Sequence, residues 1–184
     1  MTGQLGLPLV AAGELTWARS HGKHPHALSL VDGTGPWRLH GPHYSRRTPG
    51  SASFVGCGRQ LVLTTPSAVW SVVLQRPPRP RNEPRTGKRG RATPDSRPML
   101  WRNNVFRNLG PALSSMLIRA AVSVTYREWY RRYGDLPTAQ LRTEVDTRFI
   151  RSRNPGYCYL MAGWTKAEAT VRHKLYLYAP ERTA

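Results

Sequence analysis

Acidic residues are scarce in this chain of 184 residues: ten Asp and Glu stand against 28 Lys and Arg, a formal net charge of +18. A chain so unbalanced is drawn to polyanions whether or not it is specific for them. Lysine is scarce too, 4 residues against 24 arginines. Arg makes bidentate phosphate and guanine contacts that Lys does not. A coding bias toward Arg shares in that preference but does not explain the shortage of acids. Cysteine occurs only at Cys57 and Cys158, which excludes a disulfide scaffold and a four-cysteine zinc site. Long apolar runs are missing: the longest uncharged stretch in the middle of the chain, Gln60 to Gln75, is broken by Pro66, so no membrane span is expected. The N-terminal apolar residues follow no basic segment, so no secretory signal is expected either. These shortages lead to the expectation of a soluble, cytoplasmic protein. What is present argues against wholesale disorder: 39% hydrophobic residues, six Trp and eight Tyr are enough to build a core.

Met1 to Thr48 shows no clear period, is punctuated by Gly33, Gly35, Pro36, Gly41 and Pro42, and reads as short helices or turns, with the first 35 residues as an irregular N-terminal segment. Residues 36–184 read as a single domain. Arg59 to Thr64 and Ala68 to Gln75 are rich in strand formers and flank a Pro66-Ser67 turn, the pattern of a hairpin. Arg76 to Pro98 is different material, with eight basic residues, two acids, six prolines and almost nothing apolar. Such a segment cannot offset its ordering entropy by burial. It is expected as a mobile insertion, either a solvated loop or a basic arm that orders on a nucleic-acid backbone.

Trp101 to Arg107 then reads as a strand. Gly110-Pro111 is expected to open a helix with Pro in its first position, with a buried stripe of Leu113, Met116, Leu117, Ala120, Ala121 and Val124. Gly134 and Pro137 stop it near Tyr133. Leu141 to Asp146 is the next strand, Tyr157 to Ala162 a short helix, and Trp164 to Ala169 and Leu175 to Ala179 two last strands. The fold class expected is α/β, a mixed twisted sheet with flanking helices.

Three constellations carry candidate chemistry. The first is Arg107-Asn108-Leu-Gly110-Pro-Ala112, between a strand and a helix, with Ser114 and Ser115 in the first turn. Such a turn aims free N–H groups and the helix dipole at one point, which suits a phosphate or pyrophosphate. A plain capped turn has the same letters. The second is Asn154-Pro-Gly-Tyr157-Cys158-Tyr159 followed by Gly163-Trp164, whose aromatics serve equally as core. The third is His43-Tyr44-Ser-Arg46-Arg47, on a segment without helical or strand period. Arg46 and Arg47 would hold phosphate, and His43, with a pKa near neutrality, would be a general base; an ordinary basic surface loop is the alternative.

Other groups are weaker candidates. Glu144 and Asp146 share one face of a strand, where one would act as base or orient an amine, or the face is simply solvated. Cys158 is an acyl-accepting nucleophile or a small buried residue. His21, His24 and His26 lack a carboxylate or Cys at matching spacing, so no metal site is expected.

The spacing R-x-x-G-x-A at Arg107 to Ala112 resembles the pyrophosphate loop of the GNAT acyltransferases. Tyr159, four residues before Gly163-Trp164, resembles the Tyr of that family which protonates the departing CoA thiolate, and Asn154 is the candidate for its Asn, although it stands closer to the Tyr than is usual. The series H-Y-S-R-R-x-P-G, F-R-N with S-S-x-L-I-R-x-A, T-x-V-D and N-P-G-Y-C-Y-x-x-A-G-W is similar to the Mom-like DNA-modification proteins of phages, a divergent GNAT branch. The resemblance covers residues 36–179, with 76–98 as an insertion.

The resemblance implies a GNAT-like fold and an N-acyltransferase acting on an adenine amine in DNA, with acetyl-CoA or another acyl-CoA as donor. DNA would be the partner, met in the host cytoplasm if the chain is phage-encoded. Arg107, Asn108, Gly110, Ala112, Ser114, Ser115 and Asn154 would hold the donor, and Tyr159, Asp146 and His43 would move protons. Tyr44, Arg46, Arg47, Arg81, Arg85, Lys88 and Arg89 would hold nucleic acid. Two alternatives keep the scaffold: a basic nucleic-acid-binding protein without catalysis, and an acetyltransferase with a small-molecule or protein acceptor.

Overall fold

The two runs of strand formers around Pro66-Ser67 pair as β2 (Arg59–Thr64) and β3 (Ala68–Gln75), an antiparallel hairpin with Leu63 opposite Trp70 and Leu61 opposite Val72. Thr65 Oγ1 accepts from the Ser67 and Ala68 amides and fixes the turn. The strands are buried on both faces because helices flank both. The computed structural model from which this fold is described covers residues 16–46, 48–76, 98–150, 152–168 and 172–181.

Around this hairpin stand β1 (Ala18–Ser20), β4 (Leu100–Asn108), β5 (Arg142–Asp146), β6 (Thr165–Lys166) and β7 (Lys174–Tyr178), in a seven-stranded open sheet of order β1-β2-β3-β4-β5-β7-β6. One neighbouring pair, β4 and β5, is parallel; the others are antiparallel. Parallel neighbours need a crossover, and α2 (Ser114–Tyr133) supplies it. α2, through Trp129 among others, and the short α3 (Tyr157–Met161) pack one face over Trp70, Trp101, Leu141 and Leu177. α1 (Pro25–Asp32) packs the other face, Ala27, Leu30 and Val31 meeting Val62, Val69 and Val105. The mixed α/β sheet with flanking helices is therefore as expected. No helix among the described residues is long and apolar enough to cross a membrane.

Three expectations need correction. First, the segment expected as irregular, with short helices or turns, holds one such short helix, α1, but its residues 18–32 are part of the domain: β1 extends the sheet and α1 covers it. His24 caps α1, Pro25 opens it and Gly33 closes it in the left-handed conformation. Eight residues hold too few turns for the period to stand out among prolines and glycines.

Second, the crossover helix begins at Ser114, not at Pro111. The Asn108 side chain accepts from the Gly110 amide and donates to the Ala112 carbonyl, and the Leu109 amide bonds Ser67 O. These bonds hold the turn out of helical geometry. Its buried face is Leu117, Ile118, Ala121, Thr125 and Trp129, while Leu113 and Met116 are exposed. Trp129 fixes the rotation by its area, and Thr125 by receiving the indole N–H of Trp70 at 3.0 Å.

Third, β6 is two residues long: Trp164 belongs to the core, and its amide closes α3 on the Tyr159 carbonyl. The Pro/Arg-rich segment lies outside the described residues except for its ends, Arg76 and Pro98.

Candidate functional site

β4 and β5 are paired at only two positions, Arg102 with Arg142 and Asn103 with Thr143. Beyond them each strand continues without a ladder to the other. The register of β4 on β3 slips at the same level: Ser71 faces Val105 and Val72 faces Asn103, so Asn104 is the extra residue of a bulge. A bulge bends its strand and leaves a residue unpaired. Between the separated strands lies a cleft of about 430 Å³. It sits at the carboxyl ends of the two parallel strands, where open α/β sheets bind ligands.

Asn103, at the closed end of the split, organises the interior. Its amide donates to the Ser71 and Val105 carbonyls, and its Oδ1 receives the Tyr159 phenol at 2.6 Å. Thr143 Oγ1 lies 3.4 Å from the same oxygen. Burial is the main cause that pushes the Tyr159 phenol well above its ordinary range, so the hydroxyl keeps its proton. α3 can bring Tyr159 here because Gly156 is in the left-handed region with φ 79°, and a Cβ on it would stand 2.8 Å from Leu177 Cδ1. Cys158 also lines the cleft, its thiol pushed up by burial and so kept protonated. Asn154 lines it from the loop before α3, and Asn104 Oδ1 is buried there without a hydrogen-bond partner.

The opposite wall comes from the loop after α1. The rings of His43 and Tyr44 are 4.4 Å apart, and Tyr44 stacks on Phe149 at 5.8 Å with planes 8° from parallel. Burial pushes the Tyr44 phenol up. His43 is pushed down to about 4, chiefly by burial and then by the Arg107 charge. Its Nδ1 accepts from the Ser45 amide at 3.2 Å, and its other edge meets the Phe106 carbonyl. The ring is neutral at pH 7 with both nitrogens engaged.

Asp146 does not line this cleft. It caps the 3-10 turn Thr147–Phe149 and binds Arg148 through both oxygens, Arg148 first among the causes that hold it down to about 2. A carboxylate so low is a poor proton acceptor at neutral pH. Glu144, on the same strand face, does line the cleft, ion-paired to Lys174 at 2.5 Å.

The expected pyrophosphate turn is where the sequence places it, after β4 and before α2, but two members have other work. Arg107 donates to the Leu30, Val31, His40 and Gly41 carbonyls and so ties α1 to the sheet. Gly110 is required by close approach to Ser67, since a Cβ there would stand 2.2 Å from Ser67 Oγ. Asn108 knits the turn internally, and Ala112 is buried. What faces outward is the first turn of α2 at Ser114 and Ser115; its cap, Leu113, makes no side-chain bond to it.

Arg46, expected to hold nucleic acid, is buried with Asp32 at 2.5 Å and donates to the Ser51 and Ser53 carbonyls. Arg47, Arg81, Arg85, Lys88 and Arg89 lie outside the described residues. Of the three histidines, His24 caps α1 and His26 bonds the Thr65 carbonyl. No group of three or more metal-ligating side chains lies together among the described residues.

The split thus brings together His43, Tyr44, Asn154 and Tyr159 from two distant stretches of chain. Sequence reasoning missed Asn103, Asn104 and Phe149. The signal was present: two adjacent Asn inside a strand are poor strand formers and mark a bulge or a site. Comparison of the chain with known protein families, with curated proteins and with solved structures finds no match.

Proposed function

We propose that this protein is a GNAT-like acyltransferase that modifies a nucleobase amine, adenine by its resemblance to the Mom-like proteins, in DNA. The observation that carries the reading is the split between parallel β4 and β5, with a protonated phenol, Tyr159, inside it and the start of α2 following β4. The +18 charge supports a polyanionic acceptor.

The residues present fit an acyl-CoA donor in part. The first turn of α2 offers backbone N–H groups and the Ser114 and Ser115 hydroxyls to a pyrophosphate; Arg107 is not available for it. Bound there, the donor supplies a thioester carbonyl open to an amine. Tyr159 holds a proton that it can deliver to a departing thiolate, and Asn103 orients the phenol until then. Glu144, which lines the cleft and is paired with Lys174, would receive the proton lost by the amine. Tyr44, which lines the cleft and is backed by Phe149, offers an aromatic ring to a base taken out of its stack.

A second reading, a nucleic-acid-binding protein without catalysis, is favoured by the internal engagement of Arg107 and of both His43 nitrogens. Two measurements separate them. Acetyl-CoA should raise the melting temperature of the enzyme, because a ligand of the native state stabilises it. Nucleosides from plasmid DNA of expressing cells should contain a new adenine derivative by mass spectrometry, absent with Tyr159→Phe. Unmodified DNA together with no response to acetyl-CoA would leave the binding protein.

A further inference from the structure

We propose that the groove on the helix-free part of the sheet, beside the cleft, is the track for a single DNA strand on which the target base is carried. Alternation along the strands decides what stands there. Thr143, Val145, Leu175 and Leu177 face the helical core, so Arg142, Glu144, Lys174 and Tyr176 face the other way. Arg102 joins them, because its neighbour Trp101 packs on α2 and because the parallel ladder sets it beside Arg142. α1 covers that face over β2, β3 and the distal half of β4 only. No helix among the described residues covers the rest.

The groove holds about 1100 Å³, and its charged lining is Arg59, Arg76, Arg102, Arg142 and Lys174 against Glu144. Arg59 shares the face of Leu61 and Leu63 and pairs with Asp135, and Lys174 is held by Glu144, so Arg102 and Arg142 are the cations placed to meet a phosphodiester backbone. Arg142 lies over the Tyr176 ring at 5.3 Å, an aromatic surface with a cation already on it, of the kind that stacks unpaired bases. Arg102 Nε is buried with no hydrogen-bond partner. Glu144 lines both the groove and the cleft, so the two adjoin at this residue. A strand lying in the groove therefore runs to the mouth of the cleft, and a base delivered there must already be unpaired. A single strand, not a duplex, fits that requirement. The inference rests on the reading of the acceptor as nucleic acid, but not on catalysis.

The test uses the full chain and fluorescence anisotropy of a labelled single-stranded oligodeoxynucleotide over a range of salt. Arg102→Gln with Arg142→Gln should weaken binding at least about tenfold and make the slope of log K against log salt shallower by about 1.4, the loss of two phosphate partners on a single strand. Arg127→Gln with Arg131→Gln removes the same charge from the exposed side of α2 and should leave both values near the parent. Arg142→Gln alone, expected to lose half of the slope change, keeps the test open if the double variant does not fold. Equal weakening by the two double variants would overturn the track, as would duplex binding as tight as single-strand binding, or equal competition by a polyglutamate peptide. The response to acetyl-CoA, read separately, should be unchanged in the groove variants; if the parent shows none while the groove binds DNA as described, the track stands and the acyltransferase reading fails.

Discussion

Arg46→Ala separates a structural arginine from a nucleic-acid-binding one. Arg46 donates Nε and Nη2 to the two oxygens of Asp32, at 2.5 and 3.2 Å, and reaches the Ser51 and Ser53 carbonyls as well. Both partners are under 10% exposed at their side chains. Removing the guanidinium leaves a buried carboxylate whose one remaining donor among the described residues is the Gly50 amide. Breaking a buried pair from one side costs about 3–5 kcal/mol, a large share of the roughly 5–15 kcal/mol that holds a domain together. At about 2–4 °C per kcal/mol for a chain of this size, the melting temperature should fall by about 6–20 °C. The assay is urea or thermal unfolding followed by circular dichroism.

Asp32→Asn on top of Arg46→Ala should recover part of the loss, because the unpaired charge is gone. The pH dependence carries the same sign. Burial pushes the Asp32 carboxyl up, but the Arg46 hydrogen bond, the Gly50 amide and the Arg46 charge together leave it below its ordinary value. A lowered carboxyl contributes stability above the unfolded value of about 3.9, lost as pH falls through the lower folded value. The parent should lose this contribution in acid and the double variant should not have it to lose. If Arg46→Ala melts with the parent and instead binds DNA more weakly, the guanidinium faces solvent and this reasoning is wrong.

Three further outcomes are expected. Tyr159→Phe should lower acyl transfer by about 10²–10⁴ while costing only about 0.5–1.5 kcal/mol of stability; full turnover in this variant would remove the phenol from the chemistry. Gly110→Ala should destabilise the protein through its contact with Ser67, and Ser67→Gly in the same chain should restore part of the melting temperature; a neutral Gly110→Ala would free the glycine for a ligand. His43 should titrate near 4 by NMR. Its stabilising contribution is full above the unfolded value of about 6.5 and is lost as pH falls from there toward 4, so an imidazole titrating above 6 would contradict its burial.

The sequence alone determined the long helix and most of the strands, within a few residues, because the hairpin, β4, β5, β7 and the Gly134 stop are written in local preferences and alternation. It determined the charge imbalance that points to polyanions. It also located Tyr159, since α3 and its glycine are local features. Tertiary structure decided the rest. An arginine in a basic loop has the same letter whether it meets a phosphate or Asp32, and only packing assigned Arg46 and Arg107 to the interior. The rotation of α2 depended on Trp129 and on Thr125 finding Trp70, partners 55 positions apart in the second case. The cleft exists because β4 and β5 stop pairing after two positions, and the groove because Arg102, Arg142 and Lys174 come from three strands. Local sequence sets the conformation of each segment; which side chains meet across a sheet is set by strand order and register, and these depend on the whole chain at once.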